Sequence, residues 1–387
     1  MTTGRTLTAA AVVAAAVLLV TGALPLREAL LLADRAVPVL VFVAAMTVVT
    51  ELLEAAGLFH RVAYGVARLA RGRTLVLWAL AAALCVVTTA LFSLDTTAVL
   101  LTPVLVVVAR ACGLPVRPFA LLCIMLANTA SLFLPVSNLT NLLAQHRLAW
   151  SPVRFVGAAW LPAIVACVVP VVVLTLLHRR AVTGRYGVPD TRPLADPVLL
   201  RISQMTVVVL MVALVSGMPV WIPAVAAAVV LLVATTRRTR VIPSPGLVPW
   251  RILLLTGALF VAVETVHARG LDAGLQAAAA GGRDAGSLAV LAGLAAVSAN
   301  VANNLPAYLL LEPAAGTDAA RLLALLIGVN VGPLITPWAS LATMLWHRRL
   351  STLGEPVGWG GFAATGALIA VLTVSAGTLA LVLVPPA

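Results

Sequence analysis

Apolar positions run for about 20 residues at a time along most of this chain, the length at which a helix spans the hydrocarbon of a bilayer. The pattern predicts crossings near residues 7–26, 36–56, 153–177, 199–216, 220–236, 250–269 and 358–384. Two further runs, 118–146 and 318–346, are long enough to cross but carry polar residues and prolines at their centres, so they read as discontinuous transmembrane helices. Two others, 74–110 and 286–315, are apolar arms around a polar centre and read as re-entrant helical hairpins. The fold class expected is an all-α polytopic membrane protein. The run after Arg5 is read as a first span rather than a cleaved signal, because it has no convincing cleavage site and more spans follow.

The order of these elements occurs twice: span, amphipathic surface stretch, hairpin, interrupted span, final span. It places a first repeat at 36–177 (hairpin 74–110, broken helix 118–146) and a second at 250–387 (hairpin 286–315, broken helix 318–346). Residues 1–35 form a leading span and its connection, 178–198 a cytoplasmic linker, and 199–249 two connecting spans. Arginine placement tests the sidedness, because cytoplasmic loops collect positive charge. With the N-terminus inside, the outer face keeps Arg27, Arg35, Arg147, Arg154, Arg269, Arg283 and Arg321, and the other 18 of the 25 basic residues lie inside. The two repeats are then inverted relative to each other and the C-terminus is external, an architecture that supports alternating access. Leu58 to Arg68 and Leu271 to Gly282 suit helices lying in the interface.

Composition agrees and removes some functions. Hydrophobic residues make up 62% of 387 positions, with a mean hydropathy of +1.11. In a soluble protein the formal net charge of +12 would suggest nucleic acid; here the arginines fall in loops between apolar runs, and no nucleic-acid partner is expected. The chain has no lysine, so it lacks the phosphate-binding Gly-x-x-x-x-Gly-Lys loop and needs an energy source other than ATP bound in that way. The four cysteines form no C-x-x-C pair, and no metal-ligand spacing, nucleophile motif or cofactor fingerprint is present.

Asp95, in Ser93-Leu94-Asp95-Thr96-Thr97, is the most informative ionisable residue. A carboxylate at midmembrane costs at least a few kcal/mol and needs a reason to be there. Burial favours its protonated form, which suits a proton-coupling site; the alternative is that Asp95 caps the second hairpin arm. Thr96 and Thr97 share this tip. The second tip carries no charge but offers the amides of Asn300, Asn303 and Asn304 before Pro306. Pro135, Pro333 and Pro337 should unwind the interrupted spans and free backbone groups, and Pro306 is expected to break the helix at the second tip. Beside them Asn128, Ser131, Ser137, Asn138, Asn330, Thr336 and Ser340 could cradle a small polar solute. Glu264 and the pair Glu51 and Glu54 lie near span ends and are weaker coupling candidates.

At these residues the chain resembles the arsenical pump membrane protein (ArsB) family of the ion transporter superfamily. The resemblance rests on Asp95 to Pro103, on Asn128 to Ser131 with Val136 to Asn141, on Asn303 to Pro306, and on Gly332 to Pro337 through Ser340 to Trp346. It implies arsenite or antimonite efflux in exchange for protons across the plasma membrane, with Asp95 the proton site, an optional soluble arsenite-stimulated ATPase and a possible homodimer. Sodium/proton antiport or small-carboxylate transport is the alternative within the superfamily. The chain departs from the family where Ser93-Leu94-Asp95 stands in place of a common Asn-Asp-Gly, and it has one leading span fewer.

Overall fold

The computed structural model describes residues 2–188, 196–240 and 247–386. The first part comprises α1 (Thr2–Val20), α2 (Leu26–Ala55), α3 (Leu58–Leu69), α4 (Thr74–Phe92), the single turn α5 (Leu94–Thr96), α6 (Thr102–Ala111), α7 (Val116–Thr129), α8 (Leu139–Leu148), α9 (Pro152–Leu177) and the short α10 (Arg179–Val182). Then come α11 (Pro197–Val215) and α12 (Trp221–Thr239). The second part comprises α13 (Trp250–Ala268), α14 (Ala273–Ala279), α15 (Ala285–Ala302), α16 (Asn304–Ala315), α17 (Ala319–Val331), α18 (Leu341–Thr352) and α19 (Trp359–Leu383). Among the described residues the only strand-like pairing is one isolated bridge between Arg73 and Arg185. Part of the expected linker, 189–195 with Arg192, lies outside the described residues, as does 241–246.

Nine of the described helices are long and apolar enough to cross a membrane. They include the segments 74–92, 94–111 and 285–302 that the sequence assigns to hairpin arms, and they exclude the interrupted helices α7 and α17. Length therefore allows these arms to cross or to return.

The helix α2 begins at Leu26 rather than at residue 36. Arg27, Glu28, Asp34 and Arg35 lower the hydropathy of its first turns without breaking the helix, and Pro38 is accommodated inside it. At 1.5 Å per residue its 30 residues extend about 45 Å, longer than a hydrocarbon core of about 30 Å. One end must tilt or project, and the charged turns are at that end.

The centre of the molecule is occupied by α7 and α17. Residues 118–132 and 320–334 are buried without a gap, the signature of a helix packed on all faces by protein. Both lead into the interrupted segments. α17 packs against α15, α16 and α19, and α7 packs against α4, α6 and α9, so each hairpin flanks the buried helix of its own part.

Candidate functional site

The first tip is built on Ser93, which sits at φ 120° between α4 and α5. Its hydroxyl caps the following turn by accepting from Thr96 N at 3.4 Å and lies 3.2 Å from Thr96 Oγ1. Across the arms, Thr89 Oγ1 donates to Thr97 Oγ1 at 2.9 Å. Residues Thr97–Leu101 then form a turn of π-helix before α6, a widened backbone often found at functional sites. Asp95 does not cap. Its Oδ1 is buried with no hydrogen-bond partner in the protein, and because Ser93 already supplies the cap, the capping alternative for Asp95 fails.

The first interruption follows α7. The chain makes short 3₁₀ turns at Ala130–Leu132 and Pro135–Ser137, then passes through an extended Asn138 (φ −149°, ψ 142°) into α8. Asn138 Oδ1 caps α8 by accepting from Thr140 N at 3.3 Å. Ser137 Oγ lies 2.7 Å from Leu134 O and 3.3 Å from Ala90 O, which ties the break to α4. Ser131 Oγ donates to Asn128 O at 2.6 Å. The amide of Asn141 donates to Ser131 O at 2.6 Å and to Leu134 O at 2.9 Å, so carbonyls released by the break are held by a side chain.

The second tip repeats the device with amides. Asn303 (φ 96°) separates α15 from α16, and its Nδ2 donates to Trp338 O at 2.9 Å. Asn304 N donates to Ala339 O at 3.0 Å. Asn300 donates to Gly332 O at 2.8 Å, and its Oδ1 accepts from Thr336 N at 3.0 Å. The second break, 332–340, contains Pro333 and Pro337, in keeping with their expected role. Pro306 behaves differently. It lies in the first turn of α16, where its missing N–H is not needed, and the chain turns at Asn303 instead.

The tips therefore dock on the breaks, and the two parts exchange elements. α5, the π turn and α6 pack against α18, while α16 packs against α8. Trp346 Nε1 anchors α18 to α7 through Ala120 O at 3.0 Å. At the join, Asn330 Oδ1 accepts from Asn138 Nδ2 at 2.8 Å and from Thr140 Oγ1 at 2.9 Å, and Asn330 Nδ2 donates to Asn141 Oδ1 at 2.7 Å. Besides Asp95 Oδ1, the polar oxygens Asn128 Oδ1, Thr129 Oγ1, Ser340 Oγ and Thr343 Oγ1 are buried in these segments without protein partners. The two tips differ in exposure. Thr97 is fully buried, whereas Val301 is 73% exposed.

Four residues of the family motifs without a role of their own in the sequence reading gain one here: Thr140 and Asn141 complete the Asn330 cluster, and Thr129 and Thr343 contribute two of the unpaired oxygens. One feature escapes the sequence reading, an ion pair between Arg35 of α2 and Glu312 of α16, which also accepts from Tyr308 Oη at 2.9 Å. Glu312 and Tyr308 are buried, and Arg35, assigned by sequence to an outer loop, reaches into the packed arm. Among the described residues, no three His, Cys, Asp or Glu side chains assemble as a metal site would need. Two cavities lie away from the tips: a wholly apolar groove between α1, α2, α12 and α13, and a basic one at the end of α8 and the start of α9.

A family profile described as citrate transporter, CitMHS, matches residues 1–320. An arsenical pump membrane protein of Yersinia enterocolitica is 30% identical over 363 residues, covering 87% of this chain and 84% of that one. The chain belongs to the arsenical pump membrane protein family. A namesake from Escherichia coli is 28% identical over 362 residues with the same coverage, and a putative member from Bacillus subtilis is 24% identical over 366 residues, covering 83% of this chain and 82% of that one. Among solved structures, the YdaH transporter of Alcanivorax borkumensis, described as having an unusual topology, superposes with a TM-score of 0.58 at 16% identity, covering 91% of this chain and 86% of that chain. That likeness concerns the fold. With its family membership and its helices, the chain is a multi-pass membrane transporter of the arsenical pump type.

Proposed function

We propose that this family member exports arsenite or antimonite in exchange for protons across the bacterial plasma membrane by alternating access. The observation that carries the reading is Asp95, an intramembrane carboxyl kept out of capping and out of every ion pair found among the described residues. Around it the site is neutral: no arginine or histidine occurs in residues 93–97, 128–141, 298–306 or 328–343.

Arsenous acid is a small neutral triol at neutral pH. Its three O–H donors match the buried, unpartnered acceptors Asn128 Oδ1, Thr129 Oγ1, Ser340 Oγ and Thr343 Oγ1, which replace hydrogen bonds to water at little net cost. Ionised Asp95 accepts one further O–H. A proton arriving from outside occupies that lone pair, weakens the hold on the triol and neutralises the tip, so that the emptied site can reorient. Proton and substrate thus compete for one oxygen, which is the requirement for exchange. Thr96, Thr97, Ser131, Ser137, Asn138, Asn300, Asn303, Asn304, Asn330 and Thr336 form the walls and hold the breaks open to backbone contact.

In this reading residues 36–177 and 250–387 are inverted repeats with re-entrant hairpins, supported by the docking of each tip on an interrupted segment. Residues 1–35 lead into them, 178–198 is a cytoplasmic linker and 199–249 two connecting spans. The N-terminus is cytoplasmic and the C-terminus external, as the arginine bias favours. A soluble ATPase partner is optional, and a homodimer is compatible.

The test is arsenite and antimonite uptake into everted vesicles under an imposed pH gradient. Uptake dependent on that gradient and lost in Asp95→Asn is the expected result. Intact proton-driven uptake in Asp95→Asn removes the coupling assignment. The profile described as citrate transporter favours a second reading, small-carboxylate or sodium-linked transport. Flux driven by sodium or carried by carboxylates, with none of arsenite, would establish that reading instead.

A further inference from the structure

The basic cavity is separate from the tips and breaks and has no role in the proposed exchange. It encloses about 610 Å³ where the end of α8 and the start of α9 meet the starts of α15 and α17 and the end of α19. Five helix ends converge there, which places it at the level of a membrane interface. It lies at the opposite end of the bundle from the Arg110–Glu355 pair.

Arg147, Arg154 and Arg283 line the cavity. Arg283 pairs with Asp318, Arg147 Nε donates to Gly316 O at 3.4 Å, and the Arg154 guanidinium stacks 4.9 Å over the ring of Trp150. Arg321 lies behind them, its guanidinium donating to Ala279 O, Gly282 O and Ala314 O. The acids on the same helix ends are Asp284 and Asp318, both used as helix caps. Among the described residues of these helix ends, arginines outnumber carboxylates four to two. The lining also has an apolar part that includes Leu288, Leu381, Val382 and Pro385. Beyond it the outer faces of α9 and α19 continue as exposed apolar rows, with Val153, Leu379 and Leu383 each more than half exposed.

We propose that this cavity binds the phosphate headgroup of an anionic phospholipid, with its acyl chains running down the apolar faces of α9 and α19. The recognition is chemical: guanidinium groups pair with phosphate through parallel N–H donors, and the adjoining apolar wall suits a ligand that carries hydrocarbon. A free anion would use the arginines and leave that wall unoccupied. A lipid held here would bridge α8 and α9 of the first part to α15, α17 and α19 of the second.

Full-length purified protein would be titrated with phosphatidylglycerol, with phosphatidylcholine and with inorganic phosphate, following melting temperature and lipid retained in native mass spectrometry. Phosphatidylglycerol should raise the melting temperature and be retained, while phosphatidylcholine should do neither. In Arg147→Gln/Arg154→Gln its apparent affinity should fall at least about tenfold, since each guanidinium removed takes its charge-assisted hydrogen bonds to phosphate with it. Arg147→Lys/Arg154→Lys, which keeps the charge, should retain most of the binding and controls for folding. Equal effects of the two lipids, or undiminished binding in the glutamine variant when it melts normally in phosphatidylcholine, would overturn the proposal. An equal effect of inorganic phosphate would assign the cavity to a free anion and overturn the lipid assignment. None of these outcomes depends on whether arsenite is the substrate.

Discussion

Asn138 Nδ2 donates to Asn330 Oδ1 across 2.8 Å, joining the first interrupted segment to the end of the second buried helix over 192 positions of sequence. Asn330 returns a bond to Asn141 Oδ1 at 2.7 Å and accepts a third from Thr140. Every member is buried, so each amide needs its partner. The two parts are thus clasped at the depth where both helices are broken. The clasp is neutral and saturated, whereas the nearby oxygens of Asn128, Ser340 and Thr343 are unsatisfied. One set holds the parts together, and the other supplies the acceptors of the exchange proposed above.

Asn330→Ala should expose that division of labour. It leaves Thr140 Oγ1 and Asn141 Oδ1 without this partner and Asn138 Nδ2 with only Ser131 Oγ at 3.5 Å. At about 0.6 kcal/mol for an average interhelical hydrogen bond in a membrane, and about 1–3 kcal/mol for a buried group left unpaired, a loss of about 2–4 kcal/mol is expected. Detergent or thermal denaturation of the purified variant measures it. Wild-type stability would mean the clasp is not a fixture of the fold.

The Arg35–Glu312 pair predicts a different pattern. Glu312→Gln or Arg35→Gln leaves one charge buried without its partner, at a cost of about 3–5 kcal/mol. Replacing both by leucine removes the two charges together and should recover most of that loss, because a buried ion pair often does no better than apolar packing. A double-mutant cycle on melting behaviour reads the coupling directly. Additive single effects would show that α2 and α16 are not joined through these side chains.

What the sequence could and could not show divides along the range of the interaction. Apolar length and the polar interruptions locate the helices and place the tips beside Ser93 and Asn303, because hydropathy and proline act locally. The start of α2 is lost for the same reason: Arg27, Glu28, Asp34 and Arg35 read as loop when only the local average is considered. Glu312 carries no sequence signal at all, since its partner lies 277 positions away and each residue alone resembles a span-end charge. The role of Asp95 sits between these cases. Its presence in an apolar run is visible, but the choice between cap and unpaired carboxyl depends on the Ser93 hydroxyl, whose geometry only the fold supplies.

At the basic end of the bundle, Asp318 caps α17 through Arg321 N at 3.0 Å and pairs with Arg283. Burial alone would raise its carboxyl, but the hydrogen bonds from Arg321 N–H and Arg283, with the charge of Arg283, outweigh it and hold Asp318 below the ordinary carboxylate range. A depressed folded-state value means stabilisation that is fully present above about pH 4 and is lost as pH falls through the lowered value. Melting temperature should therefore drop less between pH 7 and pH 3 in Asp318→Asn than in the wild type, with the variant less stable at pH 7 by at most about 1 kcal/mol, the worth of an exposed ion pair, because asparagine caps as well as aspartate. Identical acid profiles would remove this linkage.

The second break is pressed closely against the final helix. A Cβ at Gly366 of α19 would lie 1.7 Å from Leu334 O, a backbone atom that cannot rotate away. Leu334 follows Pro333, whose ring fixes its own φ and leaves the break little freedom to retreat. Gly366→Ala must therefore push α19 off the segment that carries Ser340 and Thr336, and overpacking of this kind costs about 1–3 kcal/mol or more. Gly360, in the first turn of the same helix with open space around its Cβ position, is the control. Gly366→Ala should lower the melting temperature and abolish transport, while Gly360→Ala should spare both. Equal behaviour of the two variants would mean that the contact between Leu334 and α19 is not what fixes the break.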